Sequence, residues 1–453
     1  MKKNDIIEVT IDSVTAQGSG VGRVGEMAVF VPAAAPGDTL RAVVIKAKPR
    51  YAVAKLLEVL SPSPDRAEND CAVYPQCGGC VFRHLDYAAE TQIKYNAVRD
   101  AFLRIGGMDI MPAPILAAPQ TQRYRNKAQY PFVKTPQGIR LGFYAAHSHR
   151  VVPCADCLLQ PAKFARIADI VCLWAETYGI SVYDETQHSG TLRHLYLRKA
   201  EKSGEIMVCL VANADTLPHT AELVRALRRE VPAVSGVLLN VNRADTNVIL
   251  GERCETLWGA DSVTDELCGL SFRLSPHSFY QVNRAQAQRL YETAAQYAGD
   301  GGGTLLDLYC GTGTIGLSMA ARFEKVIGAD NVPQAIADAT ENARANGIEN
   351  AEFLCADAAE AAKTLQERGI APRVILIDPP RKGCSAELLD IMAQLQPERI
   401  VYVSCDPATL ARDCAVLREK GYNAEQVTPV DLFPRTGHVE SCVLLTNDGR
   451  NSR

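Results

Sequence analysis

Over the first sixty positions apolar residues tend to fall at every second place, and further along the chain that period gives way to others. Ile6–Asp12, Ala28–Val31, Leu40–Ile45 and Ala52–Leu60 read as short strands, because alternating apolar side chains suit one buried face of a sheet. Gly18-Ser-Gly-Val-Gly22 and Pro36-Gly-Asp38 read as turns between them. Several short strands at this spacing predict a small β-barrel. Ser61-Pro-Ser-Pro-Asp65 predicts a linker.

A mixed stretch follows, with helical periodicity over 87–105 and 162–178 and strand signals at Leu195–Arg198, Glu205–Val211 and Val234–Asn242. From about residue 271 the alternation becomes regular. Strands Thr304–Leu308, Lys325–Asp330, Ala351–Leu354, Val374–Asp378 and Arg399–Ser404 are separated by helical segments. That order predicts a doubly wound, Rossmann-like sheet. The reading is an α/β protein in three parts: a small barrel at 1–60, a central mixed α+β domain at 61–270, and the doubly wound domain at 271–453. A chain of 453 residues has room for three cores.

Composition narrows the function classes. No apolar run is long enough to span a bilayer, and the basic start has no apolar segment behind it, so a cytoplasmic protein with no membrane partner is expected. Fifteen cysteines without a secretion signal point to metal ligation or thiol chemistry rather than disulfides. A net charge of −4 argues against coating nucleic acid non-specifically, so binding RNA would need a local basic patch. Lys46, Lys48, Arg50 and Lys55 around Tyr51 could supply one.

Asp307-Leu-Tyr-Cys-Gly311-Thr-Gly313-Thr-Ile-Gly316 follows a strand and opens a helix, where glycines let the backbone approach a ligand. Asp330 ends the next strand, placed to hold ribose hydroxyls. Taken alone, these features also fit a nicotinamide or flavin enzyme. Ile377-Asp378-Pro-Pro-Arg381 ends the fourth strand at the ligand edge of the sheet, and Asp-Pro-Pro there marks methyltransferases acting on nitrogenous bases. Ser404-Cys405-Asp406-Pro407 ends the fifth strand, and Glu440 opens the last one. A thiolate that adds to carbon 6 of uracil turns carbon 5 into an enolate-like nucleophile. A base must afterwards remove the carbon 5 proton. Cys405 is the candidate nucleophile and Glu440 the candidate base. Helix polarity after Pro407 is expected to favour the thiolate, and burial to raise the pKa of Glu440. His438 is an alternative base.

Cys71, Cys77 and Cys80 have the spacing C-x5-C-x2-C, and Cys154 and Cys157 follow downstream. Such a group reads as zinc or iron–sulfur ligation. Four thiolates suffice, taken as Cys71, Cys77, Cys80 and Cys157, with Cys154 left over. Cys172, Cys209, Cys254, Cys268, Cys310, Cys355, Cys384, Cys414 and Cys442 are expected to be small buried residues.

With these residues in view, the chain resembles the RNA 5-methyluridine methyltransferase family, and most of all its 23S rRNA branch in the Gram-positive-type form. The resemblance covers nearly the whole chain. It implies that the barrel is a TRAM domain, on Gly20-Val-Gly-Arg23 and Phe30-Val-Pro-Ala-Ala-Ala-Pro-Gly-Asp38. It implies a cluster of four irons and four sulfurs on Cys71, Cys77, Cys80 and Cys157, with a structural and RNA-positioning role. It implies S-adenosylmethionine as methyl donor, contacted by Gln281, Tyr309, Asp330 and Asp378, with Cys405 as nucleophile and Glu440 as base. Ser-Cys-Asp-Pro stands here where relatives have Ser-Cys-Asn-Pro. The target uridine would flip out of the RNA, with Arg123-Tyr-Arg-Asn-Lys127, Arg193 and His194 holding its neighbours. The partner is then 23S rRNA, with no DNA, and the protein a monomer.

Three rivals remain. Methylation of the tRNA T-loop uridine is one, and relatives with that job are expected to lack the barrel and the cluster cysteines. A radical enzyme that cleaves S-adenosylmethionine is another, but its usual C-x3-C-x2-C spacing is absent. The third is a non-catalytic metal-binding RNA-binding protein, which leaves Cys405 and Glu440 without a purpose.

Overall fold

A computed structural model describes residues 1–447. Five strands close a barrel at the N-terminus: β1 (Ile6–Val14), β2 (Ser19–Val24), β3 (Met27–Pro32), β4 (Thr39–Ala47) and β5 (Tyr51–Ser61). Val9, Ile11, Val29, Val31, Leu40 and Val44 fill it. The segment Gly18–Gly22, expected to be a turn, lies mostly within β2. Its glycines serve close approach: a Cβ at Gly22 would stand 2.1 Å from the Thr10 carbonyl oxygen on β1. The expected linker is fastened rather than free. The Ser63 N–H donates to Asp38 at 2.9 Å, and Arg66 grips the same carboxylate with two nitrogens.

Helix α1 (Tyr87–Arg104) starts at Asp86, whose carboxylate accepts the Ala89 N–H. Such a cap is worth about 1 kcal/mol. The middle of the chain builds β6 (Lys127–Thr135), β7 (Gly138–Tyr144), β8 (Val151–Pro153), α2 (Ala162–Thr177), β9 (Leu192–Lys199), β10 (Ile206–Ala212), α3 (Thr220–Glu230), β11 (Val234–Val241) and β12 (Arg253–Gly259). The strands form one sheet in the order β12-β11-β10-β9-β6-β7-β8. β9 and β10 are almost wholly buried; β10 reads as a continuous apolar run, whereas β9 also buries Arg193, His194 and Arg198. Helices α2 and α3 cover one face.

A hairpin, β13 (Val263–Leu267) with β14 (Leu270–Leu274), leads into α4 (Arg284–Ala298). Then follow β15 (Thr304–Leu308), α5 (Thr314–Ser318), β16 (Lys325–Asp330), α6 (Pro333–Ala345), β17 (Ala351–Cys355), α7 (Ala358–Glu367), β18 (Val374–Ile377), α8 (Ala386–Gln394), β19 (Arg399–Ser404), α9 (Pro407–Glu419), β20 (Tyr422–Val430) and β21 (Glu440–Asn447). Their sheet runs β17-β16-β15-β18-β19-β21-β20, parallel except for β21. Order reverses between β15 and β18, and a ligand crevice belongs at the carboxyl ends there. One core joins this sheet to the middle one: Met207 and Leu238 share it with Tyr280, Leu290, Leu305 and Val401.

The loop between β20 and β21 is tied down from several sides. Lys94 on α1, almost fully buried, donates to Glu90 at 2.7 Å, to Asp431 at 2.8 Å and to the Phe433 carbonyl. Tyr87 donates to Asp431, Tyr124 to the Pro434 carbonyl, and Asn283 to the Leu432 carbonyl. The barrel also reaches this loop. A Cβ at Gly437 would meet the Ala16 carbonyl oxygen at 2.1 Å. Among the described residues no helix is long and apolar enough to cross a membrane.

Candidate active site

A cleft of ≈ 1160 Å³ opens at the carboxyl ends of the parallel strands. Gln281, Tyr309, Asp330, Asp378, Cys405 and Glu440 all line it, so the sequence-predicted donor-binding and reacting residues meet in one place. Arg381, Phe433 and His438 share its wall.

Local folding explains each position. Tyr309 leaves β15 with φ at 62°, and Gly311 and Gly313 follow in the same left-handed region, which folds the loop tightly back. Gly316 has no room for a side chain, since a Cβ would stand 2.5 Å from Asp307 Oδ2. Its N–H instead donates to that carboxylate at 3.0 Å. Asp330, at the end of β16, accepts from the Gly311 and Val332 N–H groups and so faces the same crevice. Gln281 is held by its backbone, whose carbonyl accepts from Asn126 at 2.9 Å.

The register of β19 and β21 brings the reacting pair together. Ser404 stands opposite Ser441. Cys405 follows Ser404 and Glu440 precedes Ser441, and both line the cleft, near enough for the Glu440 charge to act on the thiol. Glu440 is 4% exposed, while Cys405 is half-buried.

The ionisations of these groups are coupled by repulsion between like charges. Burial, then the neighbouring Asp378 charge, raises the pKa of Glu440 against the opposing effect of Arg381. Burial raises that of Asp378 as well. Cys405 is pushed up to about 11 by burial and by the Glu440 and Asp378 carboxylates. The expectation that helix polarity would favour the thiolate is thus corrected. The Asp406 carboxylate already accepts the Ala408 and Thr409 N–H groups at the start of α9, at 2.9 and 3.0 Å. The donors that would have faced the sulfur are occupied by an anion. His438 is held by Arg381 at 3.2 Å and lies edge-on to Phe433, with its pKa lowered chiefly by burial. Sequence reasoning gave no role to Arg381 or Phe433. The signal available for Arg381 was its place directly after Asp378-Pro-Pro.

The basic patch divides. Arg125 and Lys127 reach the cleft. Arg193 and His194 do not, being buried. Arg193 spends its guanidinium on the carbonyls of Asn242, Ala244 and Thr246. Arg123 braces the cysteine loop, donating to Asp156 and to the carbonyls of Cys157 and Gln160. On the barrel, Lys46, Lys48, Arg50, Tyr51 and Lys55 are exposed, as a contact patch requires.

Cys71, Cys77, Cys80, Cys154 and Cys157 line a second cavity of ≈ 100 Å³. Among the described residues no group of three His, Cys, Asp or Glu side chains converges closely enough for a single ion. The thiols line a space with predominantly apolar walls. Five are present, one more than four ligands need. Arg83 sits beside Cys80 with its Nε unpartnered and its guanidinium paired with Asp70, and burial raises the pKa of the Cys77, Cys80, Cys154 and Cys157 thiols. Of the cysteines expected to be small and buried, Cys355 is exposed and Cys254 and Cys268 are only half-buried; the other six are buried.

The family model described as tRNA (Uracil-5-)-methyltransferase matches residues 255–448, and the TRAM domain model matches residues 2–57. An uncharacterized RNA methyltransferase of Clostridium tetani is 40% identical over 99% of this chain and 98% of its own. One from Halalkalibacterium halodurans is 41% identical over 98% of each. Among solved structures, the tRNA (uracil-54, C5)-methyltransferase of Pyrococcus abyssi, in complex with S-adenosyl-L-homocysteine, is 27% identical. It covers 97% of this chain and 99% of its own, with a TM-score of 0.79.

Proposed function

Since this chain belongs to the RNA uracil-5-methyltransferase family with an N-terminal TRAM domain, we propose that it methylates carbon 5 of a uridine in 23S rRNA. S-adenosylmethionine supplies the electrophilic methyl group. The observation that carries the proposal is the meeting of Cys405 and Glu440 in one cleft with Gln281, Tyr309, Asp330 and Asp378. Hydride transfer needs no such thiol and carboxylate.

In the proposed reaction the Cys405 thiol loses its proton and the sulfur adds to carbon 6 of the flipped base. Carbon 5 then takes the methyl group, whose bond to the donor's sulfur breaks to leave S-adenosylhomocysteine. Glu440, as carboxylate, removes the carbon 5 proton, the carbon–sulfur bond breaks, and the thiolate departs. Net, one proton is released for each methyl transferred. Tyr309, Asp330 and Gln281 hold the donor, and Asp378 lies between donor and base. Phe433 offers a ring face for the pyrimidine. The exposed barrel patch gives the RNA a further contact, and the work is cytoplasmic.

Cys71, Cys77, Cys80 and Cys157 would hold a cluster of four irons and four sulfurs, a reading that rests on the thiols lining one cavity, with Cys154 a fifth. Methyl transfer moves no electron, so the cluster's part is to order the loop that Arg123 braces and to position RNA.

One argument for rRNA falls away. The Pyrococcus tRNA enzyme matches almost the full length of this chain, so a leading barrel does not separate the two substrates. That match favours a second reading, methylation of tRNA. Mapping 5-methyluridine in rRNA and tRNA from cells lacking the protein tests both. Loss of a 23S rRNA site supports the proposal, and loss confined to tRNA replaces it with the second reading.

A further inference from the structure

Lys127 opens β6 and faces Arg198 across the ladder to β9. Arg125 stands two residues earlier, and both Arg125 and Lys127 line the cleft that holds Cys405 and Glu440. Arg198 is 2% exposed and gives its guanidinium to the Ser275 and Ser278 carbonyls. The buried Nε of Arg125 has no acceptor, although the guanidinium lies over Phe433, 5.8 Å from the ring centre.

Three cations are thus packed together, and among the described residues none of them forms an ion pair with a carboxylate. The charges that act on Lys127 are those of Arg198 and Arg125, both positive. Burial first, then this repulsion, brings its pKa down to about 8. Clustered like charges out of water are costly until an opposite charge joins them. In a cleft wall, that charge comes from a ligand.

The geometry points to an oxyanion subsite made by Arg125 and Lys127, backed by Arg198, that takes a phosphodiester of the RNA strand beside the target uridine. The inference rests on the proposed RNA substrate. The same cleft admits one other oxyanion, the carboxylate of the methyl donor, and the experiment separates the two. A bound phosphate stabilises the protonated lysine, so binding takes up protons above pH 8 and RNA affinity falls from pH 7 to pH 9. Asp378 and Glu440 ionise in the same direction across the cleft, where Glu252, His277, Arg381 and His438 also stand. Replacing only the lysine isolates its part.

The test uses the full-length Lys127→Met and Lys127→Arg variants with an unmodified 23S rRNA transcript, and S-adenosyl-L-homocysteine as the cofactor probe. Lys127→Met is expected to bind the transcript about tenfold more weakly at 0.15 M salt. The slope of log affinity against log salt should shrink by about one. KM for RNA should rise with kcat largely retained, and homocysteine-ligand affinity should not change. Lys127→Arg should recover the affinity and be less sensitive than wild type between pH 7 and 9. A melting temperature at or above wild type shows that Lys127→Met is folded. An unchanged salt slope in that folded variant overturns the proposal. So does weakened homocysteine-ligand binding with RNA affinity intact, which would assign the subsite to the donor carboxylate. Failure of wild type to methylate any RNA would instead sink the functional reading beneath it.

Discussion

Cys405 and Glu440 occupy the first positions beyond the Ser404–Ser441 pair of two antiparallel strands, so the register of β19 and β21 brings the thiol and the carboxylate to one edge of the cleft. β19 and β21 lie in the interior of the sheet, each paired on both sides and buried on both faces. A sulfur and a base held this way need no loop closure to meet.

From this pairing, Cys405→Ala should lose at least about 10³-fold in methyl transfer while still binding S-adenosyl-L-homocysteine. Radiolabelled methyl incorporation and calorimetry measure the two properties separately. Residual turnover near wild type would remove the covalent step.

Glu440→Gln should still add to the base and accept the methyl group on carbon 5, but should release product slowly. A protein–RNA adduct stable on a denaturing gel is the expected sign. If the variant turns over without adduct, His438 becomes the stronger candidate base.

Stability and activity should respond to pH in opposite directions. The pKa of Glu440 is raised in the folded protein, so the folded state keeps a proton that the unfolded chain gives up. Stability contributed by that proton is present below the unfolded carboxylate pKa, about 4.3, and is lost as pH rises toward the folded value. The carboxylate needed for proton removal forms over the same rise. Product release should therefore quicken from pH 6 upward as the melting temperature drops. Glu440→Gln should melt on the order of 2–4 °C higher than wild type at pH 8. Equal melting curves would mean that Glu440 is not desolvated.

The doubly wound class, the five parallel strands, the glycine loop and the residues of the cleft were legible because strand ends are punctuated by polar motifs. Asp330, Asp378 and Cys405 each follow an apolar run. The Cys405 environment was not legible, because its thiol responds to Glu440 and Asp378, distant in sequence, and to a helix start whose donors Asp406 takes up. Arg193 misled for a related reason. A basic residue beside a histidine looks like surface, and only the β9 register shows that it is spent on buried carbonyls.

Lys94→Met should destabilise the protein by roughly 3–5 kcal/mol, because it leaves the buried Asp431 carboxylate without a cation and Glu90 with Arg435 alone. Denaturant melts measure the loss. A change under 1 kcal/mol would mean that the loop bearing Phe433 does not depend on this brace.

Cys77→Ser should lower iron and acid-labile sulfide content and remove the brown colour expected of the purified protein. Zinc without iron in wild type would replace the cluster by a simpler metal site.

The most direct test of the central claim is mass spectrometry of the complex formed with RNA carrying 5-fluorouridine and S-adenosylmethionine. Fluorine at carbon 5 cannot leave as a proton does, so the bond to sulfur should persist. The account predicts one methylated fluorouridine nucleotide attached to the peptide that contains Cys405. An adduct on another cysteine, or methylation with no adduct, would contradict it.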